Sequence, residues 1–286
     1  MKSAKPWRDT MSYKIVMDSA GDLYAMDGVD FACAPLKITA GDREYVDTAD
    51  ADVAGMVNFL REYKGKASTA CPSVGDYVEA FGDAEEVYCV TITSNLSGSY
   101  NAAAVAAETW KEQHPEGKIH VFDTLSAGPE MTLLTEKIHA LAQENLAFED
   151  VVEQACAYLS NTKLLFSLES LHNLANNGRV PAPVAKLAGM LGLRLIGKAS
   201  DHGTLQPTGK ARGEKKVVPE LMKHLENMGY QGGKVRIHHC FNPAAAEELK
   251  QCIQQRFPQA VVLLGTCSAL CSFYAEYGGM LIGFEA

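Results

Sequence analysis

The order of strand-like and helix-like segments predicts an α/β fold with two domains. Residues 13–160 alternate short apolar runs with longer helical patterns, which is typical of a parallel sheet with right-handed crossovers. After residue 161 the order changes to an extended run, a hairpin and further strands, which indicates a mixed sheet. We therefore expect a tail over residues 1–12, a Rossmann-like parallel-sheet α/β domain over 13–160 and an α+β domain with a mixed sheet over 161–286.

Composition limits the classes of partner. The 286 residues are 47% hydrophobic and 21% charged, which is ordinary for a globular protein. The formal charge of −9 argues against nucleic acid, because phosphate binding needs clustered basic side chains. No apolar run has the length of a membrane span and the first residues lack a signal-peptide core, so we expect a cytoplasmic protein without membrane insertion. The eight cysteines lack zinc-site spacing, so we expect reduced thiols, no metal and no cofactor.

The most informative stretch runs from residue 87 to residue 110. An apolar strand at 87–92 precedes a loop of hydroxyl and amide side chains at 93–100, and an alanine-rich helix follows. Backbone N–H groups at such a helix start can bind an anion. The loop contains no lysine or arginine, so the expected guest is one carboxylate held by neutral donors. In the alternative interpretation, Ser97 or Ser99 only caps the helix.

The rest of the first half fits this scheme. Polar residues follow the strands predicted at 13–17 and 118–122, and open α/β sheets place ligand contacts at such positions. We predict a second extended run at 31–38, and we expect Ser73 to cap the helix at 74–81. Further helices are predicted at 51–64, 130–144 and 148–160.

The second half contains extended runs and a group of basic side chains. We predict strands at 163–168, 233–240 and 260–266, the last of them buried, and a helix at 244–256. The basic side chains form either a solvated face or a docking surface for a partner or for phosphate chemistry, and they are Arg179, Arg194, Lys210, Arg212, Lys215 and Lys216.

Several motifs resemble those of one family. The segment Ser94-Asn95-Leu96-Ser97-Gly98-Ser99-Tyr100 resembles the Ser-x-Leu-Ser-Gly-Thr-Tyr segment of the DegV family. Residues 171–180 are similar to the family's Leu-x-x-Leu-x-x-Gly-Gly-Arg-Ile, and residues 210–212 match its Lys-x-Arg. The matches follow one another in the right order from residue 13 to residue 284. The resemblance implies a two-domain protein that buries one long-chain fatty acid between its domains.

The resemblance also implies roles for individual residues. Residues at five positions would hold the fatty-acid carboxylate: Thr69, Ser94, Ser97, Gly98 and Glu276. A second set would lie at the pocket mouth or dock a partner: Asp18, Ser19, Asp123, Arg179, Lys210 and Arg212. The tail tunnel would be lined by apolar residues of the second half: Leu165, Phe166, Leu187, Met190, Leu191 and Leu193.

Two departures from the family pattern concern the head group. Ala70 and Cys71 replace a Ser-Gln pair, and Glu276 stands where the family has a histidine. A glutamate beside a bound carboxylate would repel it unless one of the two were protonated. Either Glu276 points away from the ligand, or the head group differs from that of the family.

The resemblance implies a carrier and not an enzyme. Some family members are the lipid-binding subunit of a bacterial fatty acid kinase, so a separate kinase subunit is an expected partner. The absence of a P-loop or kinase signature agrees with this. Two alternatives stay open: a module for another small carboxylate or phosphorylated ligand, and a hydrolase using Ser94 or Ser97. The hydrolase would need a base, for which the candidates are His172, His202, His238 and His239.

Overall fold

The computed structural model describes residues 13–180, 184 and 192–286. Its strands are β1 (Tyr13–Asp18), β2 (Asp30–Ala34), β3 (Lys37–Ala40), β4 (Arg43–Val46), β5 (Ala67–Ala70), β6 (Glu86–Thr91), β7 (Lys118–Asp123), β8 (Thr162–Leu168), β9 (Leu193–Ala199), β10 (Leu205–Arg212), β11 (Lys234–His239), β12 (Val261–Thr266) and β13 (Met280–Glu285). Its helices are α1 (Val53–Glu62), α2 (Val74–Phe81), α3 (Ser99–Gln113), α4 (Pro129–Gln143), α5 (Phe148–Leu159), α6 (His172–Asn176), α7 (Val217–Asn227), α8 (Pro243–Arg256) and α9 (Ala269–Ala275).

The first sheet is parallel, as predicted. Its strand order is β2-β1-β6-β7, and every pairing is parallel. All six residues of β6 are buried because helices cover both faces of the sheet. The register pairs Thr91 with Asp123 and Met17 with Val90, so these strands end at one edge. The loops that follow β1, β6 and β7 therefore meet there.

A small antiparallel sheet, β4-β3-β5, adjoins the first sheet. The single extended run predicted at 31–38 is wrong, because β2 ends at Ala34 and β3 begins at Lys37. Pro35 lies between them, and its missing N–H prevents a continuous hydrogen-bonded strand. This break turns the chain from the parallel sheet into the small sheet, whose β5 carries Thr69.

The third sheet is mixed and has the strand order β10-β9-β8-β13-β11-β12. Only β11 and β12 pair in parallel. One face packs against α7 and α8 in a core that includes Leu165, Leu221 and Leu249. The opposite face joins the core of the first half through Phe166 and Leu168. The two-domain α/β prediction is confirmed: every strand of the parallel sheet precedes Asn161, and every strand of the mixed sheet follows it.

Two sequence expectations need correction in this second half. Strand β12 is not buried, since it forms the edge of the sheet and Val261 is 54% exposed. Arg194 does not belong to a solvated basic face. It is buried, donates to the carbonyl of Gly278 at 2.8 Å and pairs with Glu169 and Glu214. Within the described ranges, no helix combines the length and the hydropathy of a membrane span.

Candidate ligand-binding cavity

An apolar cavity lies between the parallel sheet and the mixed sheet. Its volume is about 100 Å³, and it lies within about 830 Å³ of space that protein atoms do not fill and that includes open solvent. The first half lines it with the loops after β1, β6 and β7, and the second half lines it with β8, α9 and the β9–β10 hairpin. The apolar lining residues include Ala20, Leu36, Ile92, Leu96, Ala127, Leu164, Phe166, Leu168, Leu174, Ala199, Leu205, Leu270, Ala275 and Leu281.

The wall formed by β8 depends on strand alternation. Leu164, Phe166 and Leu168 line the cavity, whereas Leu165 lies on the other face of the strand in the core under α7. The Phe166 ring lies over Gly197 of the neighbouring strand. A Cβ atom at Gly197 would lie 2.3 Å from Phe166 Cζ, so glycine is needed there for the ring to occupy this position.

Six hydroxyl side chains are among the described lining residues, and they are Thr69, Thr93, Ser97, Ser126, Thr204 and Tyr274. Thr69 Oγ1 and Tyr274 OH lie 2.7 Å apart, across the boundary between the small sheet and α9. Ser97 and Arg179 also line the cavity, and Arg179 Nε donates to the carbonyl of Leu96 at 3.0 Å. Among the residues that the structure describes, Arg179 is the one charged side chain in the lining.

The loop after β6 presents Ser97 to this polar region. The N–H of Thr93 donates to the Ser126 carbonyl at 2.9 Å, and the N–H of Ser97 donates to the Thr93 carbonyl at 3.2 Å. The N-cap of α3 is Gly98, with no side-chain cap. Neither serine is therefore the N-cap residue, although Ser97 bonds the first N–H of the helix. Ser97 Oγ accepts a long bond from Ser99 N at 3.3 Å, and the Ser99 hydroxyl turns inward.

A buried carboxylate fixes this loop from beneath. Asp18 Oδ2 accepts from Ile92 N at 2.9 Å and from Ser99 Oγ at 2.6 Å, at the two ends of the loop. The hydroxyl of Tyr77 lies 2.6 Å from Ser99 Oγ. Burial raises the pKa of Asp18 to about 6, although the hydrogen bonds to its carboxylate oppose the shift. This cluster organises the loop without lining the cavity.

Most of the predicted mouth residues lie elsewhere. Asp18 and Ser19 are fully buried, so they are not at the mouth: the Ser19 hydroxyl accepts from Leu36 N at 3.0 Å, and both side chains are used inside the fold. Asp123 accepts from Ser94 N at 3.0 Å and does not line the cavity. Arg179 does line it.

Lys210 and Arg212 are exposed on β10 and do not line the cavity. At roughly 3.3 Å per strand residue, Lys210 is about 16 Å along β10 from Leu205, which does line it. They therefore lie away from the lining, and their role at the mouth or in partner docking stays a prediction.

Of the predicted head-group residues, Thr69 and Ser97 line the cavity. Ser94 and Gly98 are exposed and lie outside the lining. Glu276 also lies outside it: Oε1 accepts from Asn173 N at 3.1 Å, and the side chain lines a separate outer groove. The helix α9 ends one residue earlier, and Glu276 has a left-handed φ of 54°, which turns its side chain away.

Some of the residues predicted to contact the tail line the cavity and others do not. Phe166 lines the cavity, Leu165 faces the opposite core, and Leu193 lies at the start of β9 outside the lining. Three of the predictions fall outside the described residues, namely Leu187, Met190 and Leu191.

Sequence reasoning missed Tyr274. The available signal was helical spacing, because Leu270, Cys271, Tyr274 and Ala275 all line the cavity from one face of α9. The same spacing is typical of ordinary core packing, so it does not single out a polar contact.

The arrangement gives little support to a serine nucleophile. In the described part of the chain, no histidine ring forms a hydrogen bond with Ser94 or Ser97. His238 Nδ1 instead lies 2.8 Å from the buried Asp22 carboxylate, and the His172 ring contacts Asn176. Over residues 13–180, 184 and 192–286, no three metal-ligating side chains cluster.

Comparison with known proteins agrees with this geometry. The model of a family described as "Uncharacterised protein, DegV family" matches residues 12–286. A DegV domain-containing protein of Streptococcus pneumoniae is 41% identical over 279 residues, covering 96% of this chain and 99% of that protein.

Two solved structures resemble the chain over the same extent. A DegV family protein from Eubacterium eligens, loaded with heptadecanoic acid, has a TM-score of 0.94 and 40% identity, covering 96% of this chain and 99% of that one. The Fatty Acid Kinase (Fak) B3 protein of Streptococcus pneumoniae, loaded with linoleic acid, has a TM-score of 0.94 and 41% identity over the same shares. The resemblance seen in the sequence is thus confirmed, and the chain belongs to the DegV family.

Proposed function

We propose that this chain binds one long-chain fatty acid, with the tail in the apolar cavity and the carboxylate at the Thr69–Tyr274 hydroxyl pair. The observation that carries the proposal is the distribution of polarity in the cavity. Most of the described lining is aliphatic, and its polar members are six hydroxyl side chains, among them Thr69, Ser97 and Tyr274, and a single cation, Arg179. A fatty acid needs a dry channel for its tail and a few donors for its head.

The charge of the lining favours a carboxylate over a phosphorylated ligand. A phosphate carries up to two negative charges and is usually held by several cationic or backbone donors. In the described lining, the hydroxyl donors outnumber the one arginine. Neutral donors with one nearby cation suit a singly charged head group.

Similarity to fatty-acid complexes supports the same ligand class. The Eubacterium eligens protein carries heptadecanoic acid, and the Fatty Acid Kinase (Fak) B3 protein carries linoleic acid. Both resemble this chain along nearly its whole length. We extend their ligand class, a long-chain fatty acid, to this chain.

The proposed role is that of a non-catalytic carrier in the cytoplasm, which presents the acyl carboxylate to a separate kinase subunit. Similarity to the Fatty Acid Kinase (Fak) B3 protein supports this assignment. The two candidate serines lack a histidine partner in the described region, which argues against hydrolysis. Lys210 and Arg212 are exposed and available for an acidic surface of the kinase.

Mass spectrometry tests the ligand. The purified chain is weighed under native conditions, then denatured and extracted for lipid. We expect one fatty acid of roughly C16–C18 per chain, similar in length to the heptadecanoic and linoleic acids of the two similar structures. A chain that stays empty after incubation with a fatty-acid mixture would contradict the proposal.

A matched pair of variants ties the ligand to this cavity. Ala199→Phe places a ring in the lining, and Lys198→Phe places the same ring on the opposite face of β9. We expect Ala199→Phe to be purified without lipid and Lys198→Phe to retain it. Equal lipid content in the two variants would place the ligand elsewhere.

A coupled assay tests the carrier role. The loaded chain is incubated with ATP, with and without a fatty acid kinase subunit, and acyl phosphate is measured. We expect product only when the kinase is present. The Lys210→Ala/Arg212→Ala variant should lower the rate without lowering fatty-acid affinity. Lys250→Ala/Arg256→Ala on α8 is the charge-matched control.

A further inference from the structure

We infer that Tyr274 is the residue that hydrogen-bonds the ligand carboxylate in this chain, in the role that the family resemblance gives to position 276. This inference rests on the proposed fatty-acid function. It assigns the main head-group contact to a residue of α9 that no sequence motif marks.

The Thr69–Tyr274 pair has one hydroxyl proton that is not used within the pair. Thr69 and Tyr274 each carry one O–H, and their oxygens are 2.7 Å apart. One proton is used in the bond between them, so the other is left to donate elsewhere, whichever residue donates. Both residues line the cavity, so a ligand oxygen can accept that proton.

Of the two hydroxyls, that of Tyr274 is the better hydrogen-bond donor to an anion. A phenol is far more acidic than an aliphatic alcohol, so its hydrogen bond to a carboxylate is stronger. If Thr69 donates to the Tyr274 oxygen, the Tyr274 proton is free to bond the ligand, and each bond polarises the other. Burial raises the pKa of Tyr274, so the phenol keeps its proton at neutral pH.

A second tyrosine–hydroxyl pair in the same molecule bonds a carboxylate. Tyr77 and Ser99 also form a tyrosine–hydroxyl pair, at 2.6 Å, and a carboxylate oxygen of Asp18 lies 2.6 Å from the Ser99 hydroxyl and 3.5 Å from Tyr77. In that pair the protein supplies the carboxylate, and the serine makes the shorter bond to it. The example shows that a tyrosine–hydroxyl pair can bond a carboxylate, whereas the choice of Tyr274 as the donor rests on the greater acidity of a phenol. At Thr69 and Tyr274, no protein carboxylate is bonded to either hydroxyl in the described part of the chain.

Other polar groups lie around Tyr274. A Cβ atom on Gly98 would lie 3.2 Å from Cys71 Sγ, so the Ser97–Gly98 turn lies against the end of β5 that carries Thr69. Arg179, which binds the Leu96 carbonyl, is near enough to Tyr274 to counter part of the rise in its pKa. Glu276 is bonded to Asn173 N instead and leaves this cluster free of a competing carboxylate.

The test measures head-group selectivity. Dissociation constants are determined for palmitic acid and for 1-hexadecanol with the wild-type chain, Tyr274→Phe and Glu276→Gln. We expect Tyr274→Phe to weaken palmitic acid binding roughly 10- to 100-fold, because a hydrogen bond to a charged group is lost. Hexadecanol binding should weaken several-fold less, and Glu276→Gln should leave both constants unchanged.

Four results decide between the possibilities. If Tyr274→Phe weakens both ligands equally or neither, Tyr274 only ties α9 to β5 and the inference is overturned. A loss confined to Glu276→Gln also overturns it. If Tyr274→Phe does not fold, a crystal structure of the wild-type chain with palmitic acid decides: a carboxylate oxygen within hydrogen-bond distance of Tyr274 OH supports the inference, and one bonded to Thr69 alone overturns it. A wild-type chain that binds neither ligand overturns the proposed function itself.

Discussion

The molecule contains a tyrosine–hydroxyl pair beneath the loop at 93–98 and another in the cavity. Both are hydrogen-bonded pairs of a tyrosine and an aliphatic hydroxyl, but their roles differ. Tyr77 and Ser99 are fully buried, and Asp18 completes their network. Tyr274 and Thr69 are partly buried and line the cavity. The source of the carboxylate thus distinguishes a structural pair from a binding pair. In the first the chain provides the carboxylate, and in the second we expect the ligand to provide it.

Ser99→Ala should produce the largest change in stability. The variant removes a 2.6 Å bond to a buried carboxylate and leaves that carboxylate with fewer donors. We expect the free energy of unfolding in urea to fall by about 2 kcal/mol. Ser94→Ala, an exposed serine of the same loop, should change it by less than about 0.5 kcal/mol. Equal losses in the two variants would mean that the Asp18 network does not stabilise the fold.

We expect Tyr77→Phe to lower the free energy of unfolding and Tyr274→Phe to lower the affinity for the ligand. Tyr77→Phe removes a buried hydroxyl bonded to Ser99 and should cost about 1 kcal/mol of unfolding free energy. The rise in Tm on adding palmitic acid should survive in Tyr77→Phe and shrink in Tyr274→Phe, because only the second variant loses ligand affinity. The opposite pattern would exchange the roles that we assign to the two pairs.

The pH dependence of stability should show the burial of Asp18. Its pKa rises from 3.8 to about 6 on folding, so the folded state takes up a proton more readily than the unfolded state. The stabilisation from this group is complete below the unfolded pKa and is lost as the pH rises through the folded pKa.

Between pH 7.5 and pH 5, this group alone should add about 1 kcal/mol to the unfolding free energy. Asp18→Asn does not titrate, so the difference between the wild type and this variant should change by that amount over the same range. Urea unfolding at the two pH values measures it. A difference that is independent of pH would show that Asp18 keeps an ordinary pKa.

Ser167 provides a third kind of buried hydroxyl and the smallest expected effect. Its Oγ is buried on the face of β8 opposite the cavity and has no hydrogen-bond partner among the described residues. Ser167→Ala removes an unsatisfied polar atom from between Ile196 and Met280. We expect the free energy of unfolding to stay level or rise by up to about 1 kcal/mol. A clear loss of stability would mean that the hydroxyl has a partner, such as a buried water.

The architecture could be predicted from the sequence because strand and helix alternation is a strong local signal. The cavity could be predicted less well, and the neighbours Leu165 and Phe166 show why. A continuous apolar run does not reveal which residues face which side, since both faces of β8 are buried. Only the register, which pairs Phe166 with Leu281, places that side chain in the cavity.

The positions of the polar side chains depend on three-dimensional features that the linear sequence does not display. Asp18 ends a strand, where ligand-binding residues are often found, but its carboxylate accepts hydrogen bonds from Ala20 N, two residues later, and from Ile92 N. Glu276 was assigned from a motif, whereas its left-handed φ directs it outward. Tyr274 becomes visible only when α9 packs beside β5 and brings it to Thr69, 205 positions earlier in the chain.

The most direct test of the whole account is a crystal structure of the chain loaded with palmitic acid. The account predicts the acyl tail between Phe166 and Leu205, and one carboxylate oxygen roughly 2.5–2.8 Å from Tyr274 OH, the distance of a charge-assisted O–H bond. A carboxylate at the opposite end of the cavity, or a lipid bound outside it, would contradict the account.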